Sequence, residues 1–207
     1  MKEIDINNWS RKEIFDFFSA VESPRFSISF RLDVAPARRF AKEKNLSFYY
    51  CMIWLVTEAV NRVEAFRYTI SDNRVMLLER REPSFTDMKP EAEYFHICTM
   101  DSCESIEEFC AAAREKSHNQ KGFISYADEK PNLIFISCVP WLEVTGIANE
   151  GTPGKDDCIP RITWGKYVPE GDRLMMGFAV EVNHRFVDGA DVGRFAAELE
   201  KLMQELS

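Results

Sequence analysis

Hydrophobic and polar positions alternate most clearly near the C-terminus. Leu174, Met176, Phe178, Val180 and Val182 share one parity, which predicts a strand with one buried face. His184 continues that parity, so its side chain should face the interior or a partner surface. Asp188-Gly189 ends the strand region. Val192, Phe195, Leu199, Leu202 and Leu206 then recur at three- and four-residue steps, the spacing of a helix with one apolar face. Earlier in the chain, residues 8–13 should open a helix, with Ser10 as N-cap and Glu13 closing a capping box. Ile14, Phe15, Phe17 and Phe18 form its apolar face. Phe26 to Val34 alternates as a strand, Ala35 to Asn45 is a short basic helix, and Phe48 to Val63 is a strongly apolar helix at the centre of the core. Asp72-Asn73 supplies a turn. Strands are predicted at 85–86 and 94–97, a surface helix over 104–117, a polar connection over 119–131, and a buried strand from Leu133 to Cys138.

Composition narrows the class. A chain of 207 residues, 45% hydrophobic, fits a single domain over 1–207 with a sizeable core. The net charge of −8 argues against a general nucleic-acid binder. No apolar run reaches the ~18 residues that would span a bilayer. The opening MKEIDINNWSRKE has no apolar core, so it is not read as a secretory signal. Six cysteines without a CxxC pair suggest free thiols and a cytoplasmic protein. Cys and His do not cluster at metal-ligand spacing, so no metal is expected. Gly151 to Lys155 lacks the spacing of a phosphate loop, and there is no G-x-S-x-G elbow.

The histidines stand at 96, 118 and 184. His184, at the mouth of a strand-turn-helix with an aspartate four residues on, has the setting of a held imidazole base. On spacing alone, a lone histidine is more often structural than catalytic. His96 is read as structural.

Several stretches together resemble one family. Asn183 to Gly193 (NHRFVDGADVG) resembles the H-H-x-x-x-D-G signature of chloramphenicol acetyltransferases and the D-H-R-x-x-D-G of dihydrolipoyl acyltransferase domains. NWSRKEIFDFF resembles the family's N-terminal x-W-x-R-K/R-E-x-F, ISCVPW its I-S-A-L-P-W, and Ile162 to Tyr167 its I-T-M-x-K-Y. The resemblance implies an α/β (α+β) two-layer sandwich with a large mixed β-sheet. It also implies a homotrimer with active sites at subunit interfaces. His184 would be the general base, Ser137 the oxyanion donor, and Thr163 the group that orders a nearby water. Arg11 and Asp188 would form a buried ion pair that holds the turn carrying His184. Trp141, Tyr49, Lys166 and Tyr167 would line the site of acetyl-coenzyme A, the co-substrate. Phe18, Phe95 and Ile97 would contact a small hydroxyl-bearing acceptor. Read on their own, Tyr49 fits a core aromatic and Lys166 a solvated strand charge as well as those roles. Asn183 replaces the first histidine of the signature, and Phe18, Glu22 and Pro24 depart from the family's acceptor pocket. The acceptor, chloramphenicol or another alcohol, is therefore less defined than the coenzyme side. A lipoyl-type acyltransferase and an inactive trimeric binding module are the alternatives.

Overall fold

The computed structural model describes residues 1–128, 130–149 and 156–206, so the stretch Gly151 to Lys155 lies outside the described residues. The chain runs β1 (Lys2–Glu3), α1 (Lys12–Ser19), β2 (Arg25–Asp33), α2 (Ala35–Glu43), α3 (Phe48–Arg62), β3 (Tyr68–Ser71), β4 (Arg74–Leu77), β5 (Glu82–Asp87), β6 (His96–Thr99), α4 (Ile106–Asn119), β7 (Leu133–Val139), β8 (Arg161–Glu170), β9 (Arg173–Asn183) and α5 (Gly189–Gln204). Among the described residues, β1, β4 and β3 form a small sheet, and the order β2-β9-β8-β7-β5-β6 forms a large one. The large sheet is mixed: β5, β7 and β8 run parallel, and the other pairs are antiparallel. Helices cover one of its faces, giving the expected α/β two-layer arrangement.

The apolar runs explain this layering. α3 is buried on most of its circumference, from Cys51 to Val60, because α2, α4, α5 and the sheet all pack on it. Ser47 caps it, accepting from the Tyr50 amide at 3.4 Å. Between β3 and β4, Asp72 and Asn73 both take positive φ, 51° and 60°. Such a two-residue turn needs positive φ at both central positions, which short polar side chains tolerate. Among the described residues Arg81 is buried without a carboxylate in salt-bridge contact. Its guanidinium donates instead to the carbonyls of Phe66, Tyr68, Leu133 and Cys158, tying the small sheet to the large one.

Three expectations change. The first helix starts at Lys12 with Arg11 in the capping position and no side-chain cap, so Ser10 is not its N-cap. The first turn closes through the Arg11 carbonyl, which accepts from Phe15 at 2.9 Å. The helix over 106–119 is only partly a surface helix, since Ile106, Phe109, Cys110 and Ala113 are buried. Strand β9 is buried on both faces rather than one. Its even positions face the helices. Its odd positions are covered by a strap, residues 140–149, that crosses the opposite face of the sheet.

Two glycines make room for the strap. A Cβ added to Gly177 would lie 1.9 Å from the Val144 carbonyl oxygen, and one on Gly165 would lie 2.6 Å from that of Leu142. The crossing coincides with a bulge between β8 and β9, where Trp164 opposes Phe178 and Tyr167 opposes Met176. Two residues, Gly165 and Lys166, thus face the single Gly177. The Lys166 amide donates 2.7 Å to Leu142 of the strap. The bulge also switches the side-chain parity of β8. Ile162 and Trp164 point into the core before it, and Tyr167 packs there after it.

Gly177→Ala is expected to destabilise the protein by about 1–3 kcal/mol or more, because the clash is with backbone. Gly193→Ala, on the exposed face of α5 with nothing within 4 Å, is expected to stabilise it by up to about 1 kcal/mol. Thermal or urea denaturation of the two variants checks both signs.

Candidate active site

The residues singled out from the sequence fall into two groups within one chain. The first group lines a cleft of about 770 Å³ between the start of α3, the ends of β5 and β7, and the β8 bulge. Tyr49, Phe95, Ser137, Trp141, Lys166 and Tyr167 all line it. Ser137 Oγ lies 3.3 Å from Thr86 Oγ1, and the Tyr49 hydroxyl donates to the Thr86 carbonyl. Burial, reinforced by the neighbouring Cys138, pushes the Tyr49 phenol well above its ordinary pKa, so it stays a protonated donor. At the rim Trp141 is 71% exposed. Tyr167 packs edge-on against Phe48, and its hydroxyl accepts from Arg38 Nε at 3.3 Å. Lys166 is exposed and forms no salt bridge among the described residues. Ile97 lies on β6 opposite Thr86 and is not part of the cleft wall.

The second group surrounds His184 in the turn between β9 and α5. The His184 amide donates 2.7 Å to the Pro24 carbonyl. Its ring stacks on Phe18, with centroids 4.1 Å apart and planes 14° from parallel, and lies 4.2 Å from the Phe26 ring. Nδ1 is buried and has no hydrogen-bond partner among the described residues. Glu22, a departure from the resembling family, is exposed in the chain and so carries no desolvation cost there.

Arg11 holds this turn. Its Nη1 lies 3.1 Å from Asp188 Oδ2, its Nε donates 2.9 Å to the Arg185 carbonyl, and its Nη2 donates 3.3 Å to the His184 carbonyl. The pair is half-buried rather than buried, since the Asp188 side chain keeps 36% of its exposure. Asp188 is also the N-cap of α5, forming a capping box with Asp191. Partial desolvation would raise its carboxyl pKa. The Arg11 guanidinium and the amides of Asp191 and Ala190 outweigh this and hold it below the usual carboxylate range.

Thr163 joins neither group. It is buried on β8, directly across from Ser137 on β7 and Ala179 on β9. Its hydroxyl donates to Asn149 Oδ1 at 3.1 Å. His184 lies five residues beyond Ala179, about 16 Å along β9 at the usual rise of a strand. One chain therefore does not bring His184 onto Ser137 and Thr163.

The sequence reading did not find the polar residues behind these groups. Asn183 accepts from the Arg185 amide and Nε and donates to the Asp157 carbonyl, so the replaced histidine position is a structural hub. Arg25, Asp157, Glu181 and Arg161 form a buried charge cluster, with Arg25 Nε 2.7 Å from Glu181 and Arg161 Nη2 2.7 Å from Asp157. Burial would raise the Asp157 carboxyl, but Arg161 and Arg25 outweigh it and hold it low. Each residue sits on a different strand or loop, so no local pattern marks the cluster. The only local signal is a charged residue inside an otherwise apolar strand.

Arg11→Met is expected to cost about 1–3 kcal/mol at neutral pH, less than a deeply buried pair because Asp188 is partly solvated. The Asp188 pKa is depressed in the folded state, so its stabilisation is present above the unfolded value and is lost as pH falls through the folded one. The difference between wild type and variant should therefore narrow below pH ~4. Urea melts at neutral and acid pH check this; a gap that stays constant would remove the ion pair from the account.

A chloramphenicol acetyltransferase family profile matches residues 1–200. The chain is 30% identical to chloramphenicol acetyltransferase 2 of Escherichia coli, over 98% of this chain and 97% of that one. It is 29% identical to a chloramphenicol acetyltransferase of Clostridium perfringens, over 98% of each. A solved chloramphenicol acetyltransferase superposes with a TM-score of 0.87 at 27% identity, covering 98% and 99% of the two chains. A probable dihydrolipoamide acetyltransferase from Listeria monocytogenes shares the fold, with a TM-score of 0.69 at 16% identity over 100% of this chain and 96% of that one. With this match over the whole length and the same mixed sheet, the chain belongs to the chloramphenicol acetyltransferase family of acyltransferases.

Proposed function

We propose that the chain is an acetyl-coenzyme A-dependent O-acetyltransferase of one domain, acting on chloramphenicol or a similar small alcohol in the cytoplasm. The observation that carries the reading is the division of the site. An open cleft holds Ser137, and the His184 imidazole stands about 16 Å along β9 from the strand position beside it. Two copies of the chain complete such a site where the His184 turn of one meets the cleft of the next, and a closed ring of three is the arrangement the family resemblance implies. Exposed Phe17, Ile14 and Val21 near the His184 turn, and Phe95, Trp141 and Leu142 near the cleft, supply apolar surface for that contact.

The cleft suits the co-substrate. Its volume is within the range of small-molecule sites, its walls are aromatic, and Lys166 at the rim, without a salt bridge among the described residues, offers an ammonium to phosphate. In the reaction, neutral His184 accepts the proton of the acceptor hydroxyl through Nε2 as the oxygen attacks the thioester carbonyl. Ser137 donates a hydrogen bond to the oxyanion that develops, and Thr163 supports it through an ordered water. The thiol then leaves with the proton that His184 returns. Phe18 and Phe26 fix the imidazole plane from both sides, and Arg11 fixes the backbone that carries it. All six cysteines are free and none shares a hydrogen bond with a histidine side chain among the described residues, so His184 rather than a thiol carries the chemistry.

Turnover of acetyl-coenzyme A with chloramphenicol tests the reading directly. His184→Ala is expected to lose about 10²–10⁴ in rate, and Ser137→Ala about 10²–10³. Equal turnover in wild type and His184→Ala would remove the base. Wild type that binds coenzyme A yet leaves chloramphenicol untouched would move the acceptor elsewhere. Co-refolding the two inactive variants tests the shared site. A site built from two chains regains part of the activity, because some interfaces pair an intact His184 with an intact Ser137; a site within one chain regains none.

A further inference from the structure

We propose that Asn149 is a positioning residue that fixes the Thr163 hydroxyl as a hydrogen-bond acceptor toward the reacting centre, an inference that rests on the role given to Thr163 above. Thr163 Oγ1 and Asn149 Oδ1 are 3.1 Å apart, and Thr163 is 2% exposed. A side-chain amide can present oxygen or nitrogen to such a hydroxyl, so its orientation needs an independent determinant. Glu181 supplies it. Glu181 Oε2 lies 3.4 Å from Asn149 Nδ2 and 3.1 Å from the Asn149 backbone nitrogen. An ionised carboxylate only accepts, so the NH₂ must turn to Glu181 and the oxygen to Thr163. Glu181 is itself fixed by Arg25, whose Nε is 2.7 Å away, inside the cluster that Asp157 and Arg161 complete.

The consequence for Thr163 is a choice of polarity. A hydroxyl has one hydrogen, and here Asn149 takes it. Only lone pairs remain for anything else beside Thr163. A water held there must donate one hydrogen to Thr163, which leaves its second hydrogen for the developing oxyanion next to Ser137, one strand away. The hydrogen-bond chain from Arg25 through Glu181 and Asn149 to Thr163 therefore sets the direction of that water before the reaction begins, and no reorganisation is needed as the charge forms. Asn149 lies in the strap, outside every regular element, and meets Thr163 only because the strap crosses the odd face of β9 and β8.

The test is a double-mutant cycle read as kcat for chloramphenicol acetylation. Asn149→Ala is expected to lower kcat by roughly 3–10-fold, the worth of one neutral hydrogen bond, with KM for acetyl-coenzyme A changed less than about twofold. In the Thr163→Val background the same change is expected to have no further effect, because the hydroxyl it orients is gone. Asn149→Ser, a smaller change whose side chain is too short to reach Thr163, reports the same loss should Asn149→Ala fail to fold. Additive losses in the double mutant would overturn the proposal, since Asn149 would then act on the fold and not through Thr163. A loss in Thr163→Val with none in either Asn149 variant would overturn it while leaving the role of Thr163 in place. Full kcat in Thr163→Val would overturn both.

Discussion

Burying β9 on both faces is the constraint on which the rest of the structure depends. The even face is satisfied by hydrophobic packing, with Phe178, Val180 and Val182 against the helical layer. The odd face carries Gly177, Ala179, Glu181 and Asn183, and it is covered by a strap rather than by water. A buried charge is costly unless it is paired, so Glu181 requires Arg25, and the cluster that follows requires Asp157 and Arg161. Those pairings draw together residues 25, 149, 157, 161 and 181. The closeness of the strap to the sheet in turn requires glycine at 165 and 177, where any Cβ would meet backbone.

The same constraint shapes the site. Where the strap crosses, β8 bulges, and the bulge turns Tyr167 toward the core and cleft while Lys166 projects to solvent at the rim. Without that shift Lys166 would face the core and Tyr167 the opposite side. At the other end of β9, the chain leaves the sheet at Asn183 and is caught by Arg11 before α5 begins. Asp188 serves two partners there. It receives the amides of the first helical turn and the Arg11 guanidinium, so the helix start and the His184 turn share one anchor.

Much of the fold was legible because it rests on local periodicity. The alternation from 174 to 182, the apolar run from 48 to 63 and the Asp72-Asn73 turn each determine an element from neighbouring residues alone. Ser10 misled because a capping pattern in sequence says nothing of competing uses. Arg11, one residue later, is committed to carbonyls 173 and 174 positions away, and the helix begins after it. The double burial of β9 was hidden for a related reason. Its odd positions from Gly177 to Asn183 are small or polar, which reads as a solvent face, and only the segments that cross them make them interior.

The site divides along the same line. His184, Ser137 and Thr163 stand in motifs, so a resemblance to a family could single them out; Asn149, Glu181 and Asn183 do their work through partners that no spacing reveals. Within the fold the difference is one of distance along the chain. A motif residue is held by the element that contains it, as His184 is by the β9 turn. A supporting residue is held by whatever crosses it, as Thr163 is by the strap. Ser137 and Thr163 are thus presented by regular strands and His184 by a turn, while the direction of the Thr163 hydroxyl is set from an irregular segment. A strap lengthened or rerouted by insertion would keep every motif intact and still reorient the Thr163 hydroxyl. Sequence motifs therefore single out the residues, and the buried polar network behind them sets how a hydroxyl such as that of Thr163 points.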